Sequence, residues 1–338
     1  MSNIIIEIRT NVKKDGVEYL RSQVPAVEDG VTLEYSKRGA PAKLTFTCIK
    51  DRVAGSTDGV KDGLSFPEGA PVIFHYNGKE VFKGYVFEKK RNKEHHIEVT
   101  CFDATFYFKN KKNYIFTGLT LDQIVKRVAE DMGRPIGSLS KSNYVIPKLA
   151  KQMTSVFDIL DCAVALTTIG SGEEFILYDE AGKLYLKSRD EMQLDLYIDK
   201  DTFEDFDYST SIANNTYNRI VVSNSESSDV YVLDDKNSQS KYGVLQLEVD
   251  LQNGGNAKEI AKQRLAAHQY VSRSFGVNGH FGDIRVRGGS GVYVDQSMMG
   301  DLPKEVKKMW VKSVTHTFSQ NDHYMDMTLT DGKGFYSE

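Results

Sequence analysis

The residues best suited to chemistry lie near the C-terminus, in the stretch NDHYMDMTLTD at positions 321–331. With His316 just before it, this stretch supplies two imidazoles and the carboxylate of Asp326, which are groups that bind metals or transfer protons. Ligands on adjacent strands can converge on one ion. His323, however, has a counterpart in His95, and the chemistry of a hairpin turn accounts for both residues. We therefore predict neither a metal site nor a catalytic site here.

Other candidate sites have weaker support in the sequence. The acidic segment DKDTFEDFD at 199–207 begins like a calcium loop but lacks the glycine at the sixth position and the glutamate at the twelfth. Glu173 and Glu174 could form a glycosidase pair, although their place beside Gly-Ser-Gly at the start of a strand favours solvated acids. The three cysteines show no CxxC spacing, and no Walker or dinucleotide-binding glycine pattern is present. We expect no enzymatic activity and no cofactor.

The composition is that of a globular protein rich in β structure. The chain has 338 residues, of which 40% are hydrophobic and 27% charged, with 18 Tyr and 17 Phe but one Trp. The net charge is −4 and there is no dense basic stretch, so we expect no sequence-specific nucleic acid partner. No run approaches the ~20 apolar residues of a membrane helix, and no signal peptide is present. We expect synthesis in a cytoplasm and no membrane partner.

The hydrophobic pattern divides the chain into three parts. Residues 1–113 hold six or seven β-rich segments with tight turns, including a hairpin about Asn77-Gly78, and predict a small sandwich or barrel. Residues 114–192 contain two helical patterns and a hairpin, and predict a small α+β region. Residues 193–338 return to strands, with one helix near 256–272. The predicted fold is mainly β with an α+β insert.

The first and last parts share a repeat. Residues 82–103 align without a gap to residues 310–331, with four identities in 22 positions. Residues 69–74 align in the same order to residues 289–294. We interpret the two parts as copies of one β fold. The four identical pairs are Val86 with Val314, His95 with His323, Thr100 with Thr328, and Asp103 with Asp331.

Several structural motifs then follow one another along nearly the whole chain. They are KRGAPAKLTFTCIKD, GAPVIFHYNGKEVFKGYVF, IEVTCFDATFYF, TLDQIVKRVAEDMG, SVFDILDCAVAL, GKLYLKS, TSIANNTYNRIVV, GGSGVYV and WVKSVTHTF. In their order and spacing the chain resembles the XkdQ/YqbQ-type baseplate hub proteins of contractile phage tails, PBSX-like prophages and phage-tail-like bacteriocins. No single motif is diagnostic, because all of them are structural.

The resemblance implies a structural hub that is made in a bacterial cytoplasm and assembled into the baseplate of a virion or tail-like particle. It implies a homotrimer in which each chain carries two tube-protein-like antiparallel β-barrel domains, at 1–113 and 193–338, flanking the region 114–192. Six barrels would form a pseudo-hexameric ring between a six-fold tail tube and a three-fold spike, and the ring would nucleate tube assembly. The implied partners are other copies, the tail tube protein, the central spike protein, and other baseplate and tape-measure components.

The strands of the repeat are the candidate assembly interface. In the last strand Tyr324 and Asp326 alternate with Met325 and Met327, so one face is left for solvent or a partner and the other for the core. Two other functions stay open, a tail-associated peptidoglycan hydrolase and a carbohydrate-binding β protein suggested by exposed tyrosines. The candidate interface residues are Phe82, Tyr85, Phe87, His95, Ile97, Trp310, Val314, His316, His323, Tyr324 and Asp326.

Overall fold

Strands dominate the described chain, as predicted. The structure, a computed structural model, describes residues 3–14, 17–36, 40–53, 66–213, 215–224, 227–250, 256–300, 302–319 and 322–331. None of the helices in these ranges is long and apolar enough to span a membrane. Short 3₁₀ helices lie at Ala104–Lys109, Asp190–Met192 and Gln296–Met299.

Among its described residues the N-terminal part has seven strands, which we call the first repeat. Alternation of apolar residues produces them: in the fourth strand Leu44, Phe46 and Cys48 are buried, whereas the residues between them are half-buried. Asn77 and Gly78 both adopt positive φ, as the predicted hairpin requires. The strands are β1 (Ile4–Lys14), β2 (Val17–Gln23), β3 (Pro25–Ser36), β4 (Lys43–Val53), β5 (Pro71–Tyr76), β6 (Lys79–Arg91) and β7 (His96–Asp103).

The next part, which we call the middle region, is α+β and has its own hydrophobic core. Its first helix begins where the backbone N–H of Thr120 donates to Gln123 Oε1 at 3.0 Å. Its second helix is capped by Ser155, whose Oγ accepts from Asp158 N at 3.1 Å, and ends before Gly172 in the left-handed region. The elements are β8 (Lys111–Thr120), α1 (Leu121–Asp131), β9 (Ile136–Leu139), β10 (Val145–Ser155), α2 (Val156–Ser171), β11 (Phe175–Glu180) and β12 (Lys183–Ser188).

The C-terminal part contains the second repeat and an insertion, which we call the outer module. The outer module has a small core around Ile220, Val222, Ala261 and Leu265. Its elements are β15 to β17, α3 and α4, and the second repeat comprises β13, β14 and β18 to β21. Their bounds are β13 (Gln193–Ile198), β14 (Asp205–Ser211), β15 (Arg219–Asn224), β16 (Ser227–Asp234), α3 (Lys236–Tyr242), β17 (Gln246–Asp250), α4 (Ala257–His268), β18 (Ser272–Phe281), β19 (Gly291–Asp295), β20 (Val306–Phe318) and β21 (His323–Thr330).

The two repeats have the same strand order. In the first it is β1-β5-β6-β7-β4-β3, and in the second it is β13-β19-β20-β21-β18-β14. The outer module therefore enters between two strands of the second repeat without changing their neighbours. One difference is that β1 is antiparallel to β5, whereas β13 is parallel to β19. A shared order of six strands is strong support for one duplicated fold.

The registers of the repeats also agree, including a β-bulge at the same place. Facing residues across four strands form equivalent rows, Glu88–Thr100–Thr45–Thr32 and Ser313–Thr328–Gly276–Asp207. Immediately before each row the register shifts by one residue at a β-bulge, at Phe87 in β6 and at Lys312 in β20. Pro71 faces Tyr85 just as Gly291 faces Trp310.

This register corrects the ungapped alignment in one strand. The match of β7 to β21 holds, but Val86 is equivalent to Val311 rather than to Val314, and Tyr85 rather than Phe82 is equivalent to Trp310. The reason is that the chain needs more residues to travel from Ser313 to its partner Thr328 than from Glu88 to its partner Thr100. Because the β20–β21 hairpin is longer than the β6–β7 hairpin, the residues of β20 are displaced relative to those of β6. An alignment without gaps cannot represent this displacement.

The turn explanation of the two histidines is also wrong for one of them. His95 lies in a turn with φ of 65°. His323 is instead the first residue of β21 and faces Phe318 in the ladder. Gln320 and Asn321, which belong to the predicted polar turn, lie outside the described residues.

The repeats are joined edge to edge by β3 and β20. Val31 faces Phe318 and Ser36 faces Ser313 in an antiparallel ladder, so both repeats belong to one 13-stranded sheet with a shared core. In that core the rings of Phe74 and Phe318, one from each repeat, meet edge to face at 5.1 Å. Among the described residues neither repeat closes into a barrel through its own ladders, so the two barrels remain a prediction.

Gly69 and Gly289 occupy equivalent turns and adopt φ of 83° and 96°, so alanine at either position strains the backbone by about 1 kcal/mol. A Cβ at Gly69 meets nothing within 4 Å, whereas a Cβ at Gly289 lies 2.7 Å from Ile176 Cγ2 in the middle region. Gly289→Ala should therefore cost roughly 1–3 kcal/mol more than its matched control Gly69→Ala, because of overpacking. Urea unfolding followed by circular dichroism measures both, and equal midpoints would contradict this packing.

Candidate assembly site

The ladder between β3 and β20 is a deeply buried junction. Leu33 and Tyr35 of β3 point into the core beside Val314 and His316 of β20. Each of these four side chains is less than 9% exposed. Burying apolar side chains in this way stabilises the junction between the two repeats.

Two histidines of the candidate metal site lie at this junction and hydrogen-bond to each other. His316 Nε2 lies 2.9 Å from the carbonyl oxygen of Val286, which can only accept, so Nε2 carries the proton. His316 Nδ1 is then the acceptor, and His323 Nε2 donates to it at 2.9 Å. Burial lowers the pKa of His316 to about 3 and that of His323 to about 4, so both imidazoles are neutral at neutral pH.

His316 is not placed to act as a metal ligand. Both nitrogens of His316 are committed to hydrogen bonds. Asp326 lies on the opposite, exposed face of β21, where its Oδ1 accepts from Gly279 N at 2.8 Å. Across the described ranges no group of three His, Cys, Asp or Glu side chains is placed to bind a metal ion. The histidines are packed core residues.

The candidate glycosidase pair is likewise tied into the fold. The carboxylate of Glu174 forms an ion pair with Arg189, and Glu173 Oε1 accepts from Asn143 Nδ2 at 3.1 Å. Arg189 also stacks over the ring of Trp310 at 3.9 Å, which joins the middle region to the second repeat. These contacts give both glutamates a structural role.

A buried polar cluster that the sequence analysis missed holds three parts of the chain together. Arg287 of the second repeat is 6% exposed; it donates to the Asp179 carbonyl and to Glu180 Oε1, both at 3.2 Å. Its guanidinium also lies over the rings of Tyr178, at 4.3 Å, and Tyr35, at 5.1 Å. One side chain therefore contacts the middle region and the first repeat at once.

Two buried carboxyl groups accompany this arginine. Asp103 accepts from Ala42 N at 2.9 Å and from Thr105 N at 2.8 Å. Burial raises the pKa of Asp103, and burial together with the charge of Asp103 raises the pKa of Asp179. A cavity of about 60 Å³ lies between them, bounded by Phe157 of the middle region. The hydrogen bonds of Asp103 and of Arg287 tie the walls of this cavity to one another.

The eleven candidate interface residues divide by exposure. Phe82, Ile97, Trp310, Val314 and His316 are buried in the chain's own core. Tyr85 and Phe87 pack against Tyr107, and His323 packs against Phe318. His95, Tyr324 and Asp326 are exposed. The role of these strands in assembly remains a prediction.

Two strand edges outside that candidate set are equivalent to the two sides of the internal junction, and neither has a strand neighbour among the described residues. One belongs to β14, which ends the sheet and pairs only with β18. The other is the Glu88–Arg91 end of β6, whose ladder with β5 stops at Tyr85. The sequence signal that marks them is opposite charge, since Lys89, Lys90 and Arg91 lie on β6, whereas acids flank and enter β14.

Acid should destabilise the fold through the histidine pair. Unfolded imidazoles protonate below pH 6.5, whereas the folded ones resist protonation until about pH 3–4, so stability should fall as pH decreases through this window. His323→Gln keeps a donor for His316 but removes one titrating group. At pH 4 it should retain roughly 1–3 kcal/mol more of its neutral-pH stability than the unaltered chain does. Urea unfolding at pH 7 and pH 4 tests this, and equal losses would contradict it.

Removing the Arg287 guanidinium should loosen the junction of the three parts. Arg287→Met leaves the carbonyl of the buried Asp179 without its donor and removes the positive charge beside the buried Asp103 and Asp179, which should cost about 2–4 kcal/mol. Arg285→Met is the matched control, because Arg285 pairs with Asp283 and Asp195 at the surface. Its expected effect is within about 0.5 kcal/mol. Thermal unfolding of the two variants makes the comparison, and similar losses would count against the role of Arg287.

Comparison with known proteins agrees with this architecture. XkdQ of the phage-like element PBSX from Bacillus subtilis strain 168 is 29% identical over 314 residues, which cover 90% of this chain and 93% of XkdQ. The 43 kDa tail protein of prophage MuSo2 from Shewanella oneidensis has the same fold, with a TM-score of 0.65 at 13% identity over 98% of each chain.

A more distant structure has a related fold. The E. coli c3393 protein, described as a type VI secretion component structurally similar to the T4 tail proteins gp27 and gp5, has a TM-score of 0.53 at 10% identity. The match covers 90% of this chain and 74% of that one. The YQBQ-like family model matches residues 31–330, which confirms the resemblance seen in the ordered motifs. This chain belongs to the YQBQ-like family.

Proposed function

We propose that this protein is a structural hub in the baseplate of a contractile tail or tail-like particle. It acts as a homotrimer whose six repeats form a pseudo-hexameric ring. The observation that carries the proposal is the edge-to-edge junction of two equivalent repeats through β3 and β20. One chain therefore already contains two adjacent units of a ring, and three chains supply six.

The proposed ring adapts one symmetry to another. Its six repeats match a six-fold tail tube, and its three middle regions and outer modules match a three-fold central spike. The relatives support this role, because XkdQ belongs to a phage-like element and the Shewanella protein is a tail protein. The partners are then other copies, the tube protein, the spike protein, and other baseplate and tape-measure components. Synthesis takes place in a bacterial cytoplasm, followed by incorporation into the particle.

The contacts of the described residues favour a structural role over catalysis. The buried polar groups near the cavity join parts of the chain, and the one acidic pair considered for hydrolysis is bound to Arg189 and Asn143. Purified protein should therefore release no soluble fragments from peptidoglycan. Release that Glu173→Gln abolishes would favour a hydrolase instead.

Light scattering tests the oligomeric state. The mass of one chain is 38.0 kDa, and the proposal requires a species of about three times that mass, alone or mixed with the tube protein, because a closed ring of six repeats needs three chains. A chain that stays monomeric under both conditions would overturn the proposed function.

A further inference from the structure

The ladder between β3 and β20 inside the chain is the basis for inferring a second ladder between chains. In β20, residues beyond the bulge pair with β21 on one edge and with β3 on the other. The equivalent part of β6, Glu88–Arg91, pairs with β7 on the corresponding edge. Its other edge has no strand neighbour in the part of the chain that the structure describes. The first repeat thus lacks the partner that β3 provides to the second.

The missing partner has an equivalent at the far end of the sheet. β14 pairs with β18 as β3 pairs with β4, and Asp207 takes the place of Thr32 in the equivalent rows. The other edge of β14 has no strand neighbour among the described residues. One chain therefore has both of the strand edges that a second ladder requires. Within the sheet of one chain, six strands lie between these two edges.

We propose that β14 of one copy pairs antiparallel with the Glu88–Arg91 end of β6 in the next copy. This inference rests on the proposed trimer and names the strands that close it. The register follows from the internal junction, in which Glu34 faces Thr315. Through the equivalent rows, Glu34 corresponds to Ser209 and Thr315 to Lys90. Lys90 of one chain then faces Ser209 of its neighbour.

The charges of the two edges are complementary. Positions 89–93 include Lys89, Lys90, Arg91 and Lys93, whereas positions 204–207 include Glu204, Asp205 and Asp207. In the proposed register positions 89–93 face positions 210–206, which places Lys90 diagonally opposite Asp207 and Lys93 diagonally opposite Glu204. Lys90 and Lys93, like the three acids, are exposed in the single chain. Opposite charges on facing strands attract, and the attraction brings the correct edges together.

Charge also excludes the wrong pairings. Two β6 edges would place basic residues against basic residues, and two β14 edges would place acids against acids, so both self-pairings are unfavourable. Of the pairings between these two edges the head-to-tail one is left, and a head-to-tail contact that closes after three chains makes a ring. Charged edges additionally protect the unassembled chain from aggregation.

The ladder within the chain and the proposed ladder between chains therefore differ in their inward side chains, and so in strength. Where β3 and β20 meet, the inward positions hold Leu33, Tyr35, Val314 and His316, all buried. At the equivalent positions of β6 stand Lys89 and Arg91. The ladder between chains should accordingly be sensitive to salt, whereas the ladder within the chain should not.

Disulfide cross-linking tests the register directly. In a Cys162→Ser background, Lys90→Cys and Ser209→Cys on one chain should form dimers and trimers, and nothing larger, on a non-reducing gel after mild oxidation. The facing residues of a ladder lie about 4.5–5.5 Å apart, which suits a disulfide. The matched control replaces Ser209→Cys with Thr210→Cys, whose side chain points to the opposite face, and it should cross-link far less.

Charge reversal provides a second test. Lys90→Glu with Lys93→Glu should weaken trimer formation about tenfold or more at low salt. Adding Glu204→Lys and Asp207→Lys to the same chain should restore it, because the two diagonal pairs, Lys90 with Asp207 and Lys93 with Glu204, then carry swapped charges.

The outcomes separate the inference from the proposed function. A trimer by light scattering that gives no cross-link at 90 and 209, or that ignores charge reversal, would overturn the β14–β6 ladder and leave the hub intact. A chain that is monomeric with and without the tube protein would overturn the hub itself.

Discussion

The backbone of an edge strand has N–H and C=O groups that must find partners, and this constraint organises the whole molecule. β20 satisfies both of its edges by pairing with β21 and, beyond the bulge, with β3 of the other repeat. That one ladder turns two small sheets into a single sheet of 13 strands. It also brings Phe74 and Phe318 into one core, so the repeats cannot separate without exposing large aromatic surfaces.

The inserted parts are attached to this sheet by a few specific side chains. Arg287 contacts the backbone of Asp179, the carboxylate of Glu180 and the rings of Tyr35 and Tyr178. Arg189 connects Glu174 to Trp310. Because a buried guanidinium needs several acceptors at fixed positions, these residues orient the middle region as well as hold it.

Divergence after duplication gave the equivalent edges different side chains. The inward positions are Leu33, Tyr35, Val314 and His316 where β3 meets β20, but Lys89 and Arg91 in β6 and Tyr208 and Thr210 in β14. An apolar junction is formed during folding, when the two strands belong to one chain. A charged edge remains soluble until another chain supplies the opposite charge. The bulge, retained in both copies, keeps the two hairpins equivalent in twist while their inward side chains differ.

The sequence by itself determined the features that depend on neighbouring residues. Alternation in Leu44, Phe46 and Cys48, the Asn77-Gly78 turn and the cap at Thr120 specify strands, hairpin and helix locally, and the matched blocks reveal the duplication. The tertiary structure alone decided the features that depend on distant residues. It decided which residues of β6 and β20 are equivalent, because the greater length of the β20–β21 hairpin leaves no signal in the hydrophobic pattern. It placed His323 in a strand beside His316, and it joined Arg287 to Asp179 across more than a hundred residues of sequence. A single sequence does not show which distant groups meet, because contacts between them form only when the whole core is packed.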